Sequence, residues 1–369
     1  MPVTILFSED LKEYDFGPGH PFRGDRYLKF LKFLREHLPE DSSYQVKEAD
    51  YASEEELLLI STEDYIRFTR DYYRAAHMGT SYPGPFFQYH SGDNAVAGRP
   101  GRLEEAARLV VGQARTGCDL ILSGETDKAV SIGGGLHHAK PSYGEGFCLY
   151  NDVAFAASYL IQKYRLDRIL ILDTDAHAGN GTAEYFYDSP NVLLIDLHQD
   201  PSYLYPGTGF VHQIGSGAGK GFTINIPLPM YAGLDSYRAV FEEIAEPVTA
   251  EFRPQIIIRN GGSDPHFGDM LTSLALPVAG FRMIGRKVRQ MSEVCGGRVL
   301  DLIASGYNMD VLPYAWLALI TGLAGLDTAV EEPGGIPERF RADSASSETA
   351  SVIEQVKRHH RPYWKALEE

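Results

Sequence analysis

Two short polar clusters, each following an apolar run, carry the residue types of a divalent-metal site. Asp175 and His177 follow the run 168–173, and Asp264 follows the run 255–259. If extended backbone continues past the first run, Asp175 and His177 project to the same side, because alternate residues of a strand share a face. Two carboxylates and one imidazole leave the open coordination position that a catalytic metal needs. The donor types favour zinc; ferrous iron also fits, and the acids could instead cap a turn.

Two further clusters supply groups that can move protons or stabilise negative charge. The glycines 133–135 lead into the adjacent pair His137 and His138, and Tyr307 follows the apolar run 298–303. A neutral imidazole can accept a proton from water and return it to a leaving amine, while a phenol can donate a hydrogen bond to an oxyanion. Alone, the histidine pair could be a surface accident, and one tyrosine among 22 carries little weight. Together with the metal set they suggest hydrolysis.

A parallel sheet covered by helices on both faces would position these clusters. Continuous apolar strands that alternate with amphipathic helices are typical of such a sheet, and its ligands bind beyond the carboxyl ends of the strands. Asp25 is the expected N-cap of the first helix. We predict strands over 3–7, 119–122, 129–132, 168–173, 191–197, 222–227, 255–259 and 298–303, and helices over 25–38, 104–116, 152–164, 234–248 and 281–294.

Composition excludes several classes of protein. The 369 residues include 34 Lys and Arg against 50 Asp and Glu, a net charge of −16, which argues against direct nucleic-acid binding. The 44% apolar content excludes disorder as the main state. Cys118, Cys148 and Cys295 form no CxxC pair, and the amino terminus lacks a secretory pattern, so we expect a cytoplasmic protein without disulfides. The apolar stretch 311–326 is too short to span a membrane and reads as a buried helix.

The chain shows no internal repeat and no linker that divides it into halves. We therefore expect a single catalytic domain over residues 1–330. Residues 331–347 are rich in Pro, Gly, Ser and charge, which is typical of a surface loop. A C-terminal helix should follow, so that residues 331–369 pack on the domain or trail from it.

Several motifs in one order make the chain resemble the histone deacetylase superfamily, which includes acetylpolyamine amidohydrolases and bacterial acetoin-utilisation deacetylases. The resemblance extends over about residues 4–325 and implies an α/β, arginase/deacetylase-like three-layer sandwich with a mainly parallel central sheet. It also implies zinc-dependent hydrolysis of an N-acyl amide, usually acetyl-lysine, by metal-activated water. The motifs are GPGHP (17–21), HHA (137–139), GEGFCLYND (144–152), the segment 173–182, PGTG (206–209), and the late residues Asp264, Gly306 and Tyr307.

The resemblance assigns a role to each residue of the site. Asp175, His177 and Asp264 match the zinc ligands, and Tyr307 matches the phenol that polarises the carbonyl. His138 matches the general base, and His137 matches its neighbour that positions water. Asp173 corresponds to the partner of His137, and Asn180 corresponds to the partner of His138. An asparagine there should leave His138 less basic than an aspartate would, because it adds no negative charge.

The same resemblance implies a substrate tunnel and a second ion. Phe147 and Tyr205 would form facing walls, although Tyr205 stands where the family usually has Phe and could simply pack. Leu271 and the backbone of Gly306 would line the floor, and Gly146, Arg26 and the rim residue Asp93 complete the set. Asp196 and Leu197 match positions that contribute, near Asp173, to a potassium site in the family. Asp196 could equally cap a strand end.

Three alternatives remain to the hydrolysis of acetylated lysine in a peptide or protein. The substrate could be an acylated polyamine or another small amide. A ureohydrolase with two manganese ions needs another metal-binding carboxylate where Ala178 and Gly179 stand, unless His266 compensates. A catalytically silent acyl-lysine binding module is the third, and it would bind peptide without releasing product.

Overall fold

The core of the protein is one parallel sheet of eight strands in this computed structural model, which describes residues 2–38 and 43–368. The order across the sheet is β2-β1-β3-β8-β7-β4-β5-β6, and every neighbouring pair is parallel. The strands are β1 (Val3–Leu6), β2 (Tyr44–Lys47), β3 (Lys128–Ile132), β4 (Ile169–Asp173), β5 (Val192–Gln199), β6 (Thr223–Leu228), β7 (Ile256–Asn260) and β8 (Val299–Ile303).

Helices cover the sheet, and every residue of β3 to β8 is buried. A strand can be dry on both faces only when helices pack on both sides, which confirms the predicted three-layer α/β architecture. The helices are α1 (Asp25–His37), α2 (Glu54–Leu57), α3 (Glu63–His77), α4 (Phe86–Tyr89), α5 (Leu103–Ser123), α6 (Asp152–Tyr164), α7 (Asn180–Phe186), α8 (Leu234–Val240), α9 (Glu246–Phe252), α10 (Val278–Met291), α11 (Leu312–Ala324) and α12 (Ser346–His360), with a π-helical turn, Phe241–Ala245, between α8 and α9.

Local sequence explains where these helices begin and end. The Asn151 side chain caps α6 by accepting a hydrogen bond from the Ala154 N–H at 2.8 Å. Pro313 occupies the first turn of α11, where a helix needs no backbone N–H, and most of α11 is buried. No helix in residues 2–38 and 43–368 combines the length and apolar character needed to cross a membrane. Cys118, Cys148 and Cys295 are buried and free in the described residues.

Two predictions of local structure are wrong, and one strand is missing from the prediction. Residues 119–122 lie in α5, because the buried positions there continue a helical pattern that ends only at Gly124, which has φ +82°. The N-cap of α1 is Gly24, and Asp25 is the first helical residue. There its negative charge interacts favourably with the positive end of the helix dipole. The edge strand β2 was not predicted, because its sequence YQVK is polar and only half-buried.

The C-terminal segment packs against the sheet domain. Ile353 and Val356 of α12 are buried, and α12 lies beside β6 and α8. Beyond it, the Trp364 ring makes edge contacts with Phe222 and Phe252, with ring centroids 5.3 and 6.0 Å away. Within the described residues, this segment therefore shares the apolar core of the sheet.

Candidate active site

The polar clusters predicted from the sequence meet at the carboxyl edge of the sheet. β3, β8, β7 and β4 are consecutive neighbours there, and the loops that follow them carry the predicted residues. β4 ends at Asp173, and residues 175–177 form a bend. The condition of extended backbone past β4 is therefore not met. The bend nevertheless brings Asp175 and His177 together, with Asp175 Oδ1 and His177 Nδ1 3.1 Å apart.

Asp175, His177 and Asp264 form a buried group whose ligand atoms all lie within 4.8 Å of one another. His177 Nδ1 is 3.0 Å from Asp264 Oδ2. Burial and the charge of Asp175 raise the pKa of Asp264 to about 7, so the two carboxylates need a nearby cation to be ionised together. A divalent ion bound there would supply that charge, and one imidazole with two carboxylates is a donor set that zinc or ferrous iron accepts. The residues therefore fit the metal that the resemblance implies.

Ser305 fixes one oxygen of this group. Its hydroxyl donates to Asp264 Oδ1 at 2.8 Å, leaving Oδ2 directed toward His177. No role for Ser305 was predicted. Its position shortly after a predicted strand was the available signal, but the contact with Asp264 follows only from the neighbouring positions of β8 and β7 in the sheet.

The two adjacent histidines occupy different electrostatic environments. His137 Nδ1 is 2.8 Å from Asp173 Oδ2, and His138 Nδ1 is 2.8 Å from Asn180 Oδ1. Burial disfavours charge on both rings, but Asp173 and Asp175 outweigh it at His137 and raise its pKa to about 9. Burial and the charge of His137 hold the pKa of His138 well below its usual value. The pair thus offers one cationic and one neutral imidazole, with their Nε2 atoms 3.1 Å apart.

Asn260 joins the two strands beneath these histidines. It ends β7 directly opposite Asp173 in the register of β4 and β7. Its Nδ2 donates to Asp173 Oδ2 at 2.8 Å, which fixes the carboxylate that contacts His137. This role of Asn260 could not be predicted from the sequence, because strand pairing cannot be read from one strand alone.

Tyr307 lies beside the metal group with its hydroxyl neutral. Its side chain is buried, and burial with the nearby Asp264 raises its pKa well above the ordinary value. Arg26 anchors this loop by donating to the carbonyls of Ala304 at 3.1 Å and Gly306 at 3.0 Å. Gly306 has φ +123°, and a Cβ there would lie 1.8 Å from Ser263 Oγ, so only glycine fits.

Aromatic rings surround the approach to the histidines. Phe147 meets Tyr307 edge-on at 6.0 Å, and Tyr205 meets His138 edge-on at 5.1 Å, with Tyr205 40% exposed. Gly146 has φ +59°, and a Cβ at this position would lie 2.2 Å from the His138 ring. The walls expected from the sequence therefore flank His138 and Tyr307.

Leu271 and Asp93 are the other expected substrate residues, and their contact with substrate stays a prediction. Leu271 is 37% exposed and lies on a loop in which the Asp269 carboxylate accepts its N–H. Asp93 was expected to hold substrate at the rim. Its carboxylate accepts hydrogen bonds from the Gly146 N–H, at 2.9 Å, and from the Ser91 hydroxyl. Asp93 thus supports the loop that carries Gly146.

The residues around the expected potassium site are already hydrogen-bonded. Asp196 and Asp173 are paired in the register of β4 and β5. The Asp196 carboxylate binds His198 Nδ1 at 2.7 Å and accepts the Gly179 N–H at 2.8 Å, while Leu197 is buried within β5. Potassium binding stays a prediction.

His266 does not join the metal group. Its Nε2 is 2.8 Å from Glu332 Oε1, and its Nδ1 accepts the Gly268 N–H. The other oxygen of Glu332 accepts the Val278 N–H at 2.7 Å, at the first residue of α10. We call this set of contacts the Glu332 clasp. Because both ring nitrogens are engaged, His266 cannot complete the second manganese site that a ureohydrolase would need.

Comparisons with known proteins agree with this arrangement. The family model of the histone deacetylase domain matches residues 20–323. A "Probable deacetylase" of Archaeoglobus fulgidus is 38% identical over 375 residues, covering 100% of both chains. The "Acetoin utilization protein AcuC" of Bacillus subtilis is 35% identical, covering 89% of this chain and 84% of its own.

A solved structure confirms the type of fold. The crystal structure of the HDA15 HD domain superposes with a TM-score of 0.82 at 24% identity, covering 99% of this chain and 97% of that one. The arginase/deacetylase-like fold predicted from the motifs is therefore confirmed. With the family model matched over most of its length, this chain belongs to the histone deacetylase family.

Proposed function

We propose that this protein is a zinc-dependent deacetylase that hydrolyses the N-acyl amide of acetyl-lysine in peptides or proteins, or of a related acylated amine. One observation carries the proposal: a buried Asp175, His177 and Asp264 group lies beside a neutral His138 and a neutral Tyr307. These are the parts that metal-assisted amide hydrolysis requires. Membership of the family supports the reaction class.

Asp175, His177 and Asp264 would hold the metal. Zinc bound there would supply Lewis acidity, polarising an amide carbonyl and acidifying water. His138 would accept the water proton at Nε2, since its Nδ1 faces Asn180 Oδ1, and would return it to the departing amine. Tyr307 would donate a hydrogen bond to the negative charge that develops on the substrate oxygen. His137, Asp173 and Asn260 would keep a positive imidazole beside the reacting water.

Phe147 and Tyr205 would enclose the alkyl stem of the substrate and exclude water from the reacting amide. Gly146 and Gly306 would shape the inner wall, because neither position tolerates a side chain. Leu271 would line the floor of the tunnel, and Asp93, whose carboxylate accepts the Gly146 N–H, would hold substrate at the rim. We retain residues 1–330 as the proposed catalytic domain, and the cytoplasmic location stays a prediction.

Turnover of an acetyl-lysine peptide by the zinc-loaded protein tests the proposal. We expect release of free lysine amine, loss of that activity in His138→Ala, and inhibition by a hydroxamate, which chelates zinc with an open position. Acetylpolyamines and longer acyl-lysines assayed in parallel identify the preferred amine. Tight peptide binding without product would instead identify a binding module.

A further inference from the structure

The side-chain amide of Asn180 connects His138 to a carboxylate outside the reacting group. Its Oδ1 lies 2.8 Å from His138 Nδ1, and its Nδ2 donates to Glu145 Oε1 at 2.8 Å. Glu145 belongs to the loop that carries Gly146 and Phe147, and its side chain is only 15% exposed. Lys140 Nζ holds the same Glu145 oxygen at 3.0 Å. Glu145 thus reaches the amide from the side opposite the histidine.

The side-chain amide of Asn180 has two possible orientations, and only one of them lets His138 accept a proton at Nε2. In the observed orientation the amide oxygen faces His138 Nδ1, so Nδ1 must carry the ring proton and Nε2 keeps its lone pair. In the flipped orientation the NH2 group would face Nδ1 and favour the Nε2–H tautomer, which cannot accept a proton at Nε2. A carboxylate partner has no such ambiguity, because both of its oxygens only accept.

We propose that Glu145 is a positioning residue that fixes the amide orientation of Asn180 and, through it, the Nδ1–H tautomer of His138. A carboxylate is an acceptor only, so the flipped amide would place two acceptor oxygens 2.8 Å apart at Glu145. The ion pair with Lys140, 3.0 Å from Nζ to Oε1, holds this carboxylate in place. The inference rests on the proposed function of His138 as the proton acceptor. The need for Glu145 exists only because residue 180 is an asparagine, whose amide must be held in one orientation.

The tautomer of His138 can be measured without turnover. We would record long-range ¹H–¹⁵N correlations of histidine-labelled, zinc-loaded protein, assigning His138 by the signal lost in His138→Gln. Glu145→Gln is the informative variant, because a glutamine can accept from or donate to Asn180 and so permits both orientations. Glu184→Gln is the matched control, since Glu184 also approaches Lys140, at 3.8 Å, but forms no hydrogen bond with Asn180.

We expect only the Nδ1–H tautomer in the wild type and in Glu184→Gln, and a mixture of both tautomers in Glu145→Gln. The kcat of Glu145→Gln should fall in proportion to the fraction of the Nδ1–H tautomer that is lost, with KM unchanged, because only that tautomer can accept a proton at Nε2. A pure Nδ1–H tautomer in Glu145→Gln would overturn the proposal.

A second background separates positioning from a general structural role. In the variant Asn180→Asp the partner of His138 needs no orientation, so adding Glu145→Gln should cause no further loss of kcat. It should even restore some activity, because it removes a carboxylate from beside the new one. An equal loss of kcat in both backgrounds would overturn the proposal. If the wild type releases no amine from any acylated substrate, the proposed function fails, while the tautomer measurement still decides the role of Glu145.

Discussion

Removal of the Tyr307 hydroxyl should slow the reaction strongly without weakening the fold. The side chain is 7% exposed and lies beside the metal group, so a hydrogen bond from it to developing negative charge acts in a region with little water. One such donor contributes about 2 to 4 kcal/mol to transition-state stabilisation. Since about 1.4 kcal/mol corresponds to a factor of ten, Tyr307→Phe should lower kcat about 30- to 1,000-fold.

The same structure predicts almost no change in stability for this variant. Within residues 2–38 and 43–368 the Tyr307 hydroxyl makes no hydrogen bond to the protein, and the ring keeps its contacts with Phe22 and Phe147. The free energy of unfolding in urea should therefore change by less than about 1 kcal/mol.

Tyr27→Phe is the matched control for Tyr307→Phe. It also removes a buried hydroxyl without a partner, but it lies against Trp316 and should keep full turnover. The assay is steady-state release of lysine amine from an acetyl-lysine peptide, with zinc content checked in each variant. A kcat for Tyr307→Phe within threefold of the wild type would refute the role of Tyr307.

Three further changes test other parts of the structure. Asp264→Asn should reduce bound zinc, measured by inductively coupled plasma mass spectrometry, from about one per chain to near zero, because it removes a charged ligand; unchanged zinc would exclude Asp264 as a ligand. Gly306→Ala should lower the free energy of unfolding in urea by at least about 2 kcal/mol, since the new Cβ would meet Ser263 Oγ at 1.8 Å; wild-type stability would contradict this. Burial lowers the pKa of His90 to about 3, below its value of about 6.5 in the unfolded chain, so its contribution to stability is complete above pH 6.5 and decreases below it. This amounts to about 2 kcal/mol by pH 5, measured by urea unfolding at several pH values, and His90→Gln should lack this decrease.

The sequence predicts the edge of the sheet where the site lies because apolar runs ending in polar residues are local features. The segments before Asp175 and Asp264 are continuous apolar strands, and parallel strands direct their carboxyl ends to one edge. The four-residue run 119–122 misled the prediction because such a short apolar run fits a buried helix face equally well. Only the continuation of the helical pattern from Leu103 distinguishes the two.

The supporting residues of the site were less predictable because their partners are distant in sequence. Asn260 contacts Asp173 across 87 residues, and Ser305 contacts Asp264 across 41. Each contact depends on which strands are neighbours, and a single sequence contains no direct signal of strand order. The exposure of Leu271 depends in turn on the path of an irregular loop, which apolar character alone does not determine.

The Glu332 clasp has a practical consequence for the shortest functional form of this chain. Glu332 holds His266, two residues after the proposed ligand Asp264, and caps the start of α10. Both contacts come from beyond the segment matched by the family model, which ends at residue 323. A recombinant fragment trimmed to the matched boundary would lose this anchor and also the Trp364 ring. Such a fragment should retain zinc less tightly than the intact polypeptide, even though every proposed ligand is still present.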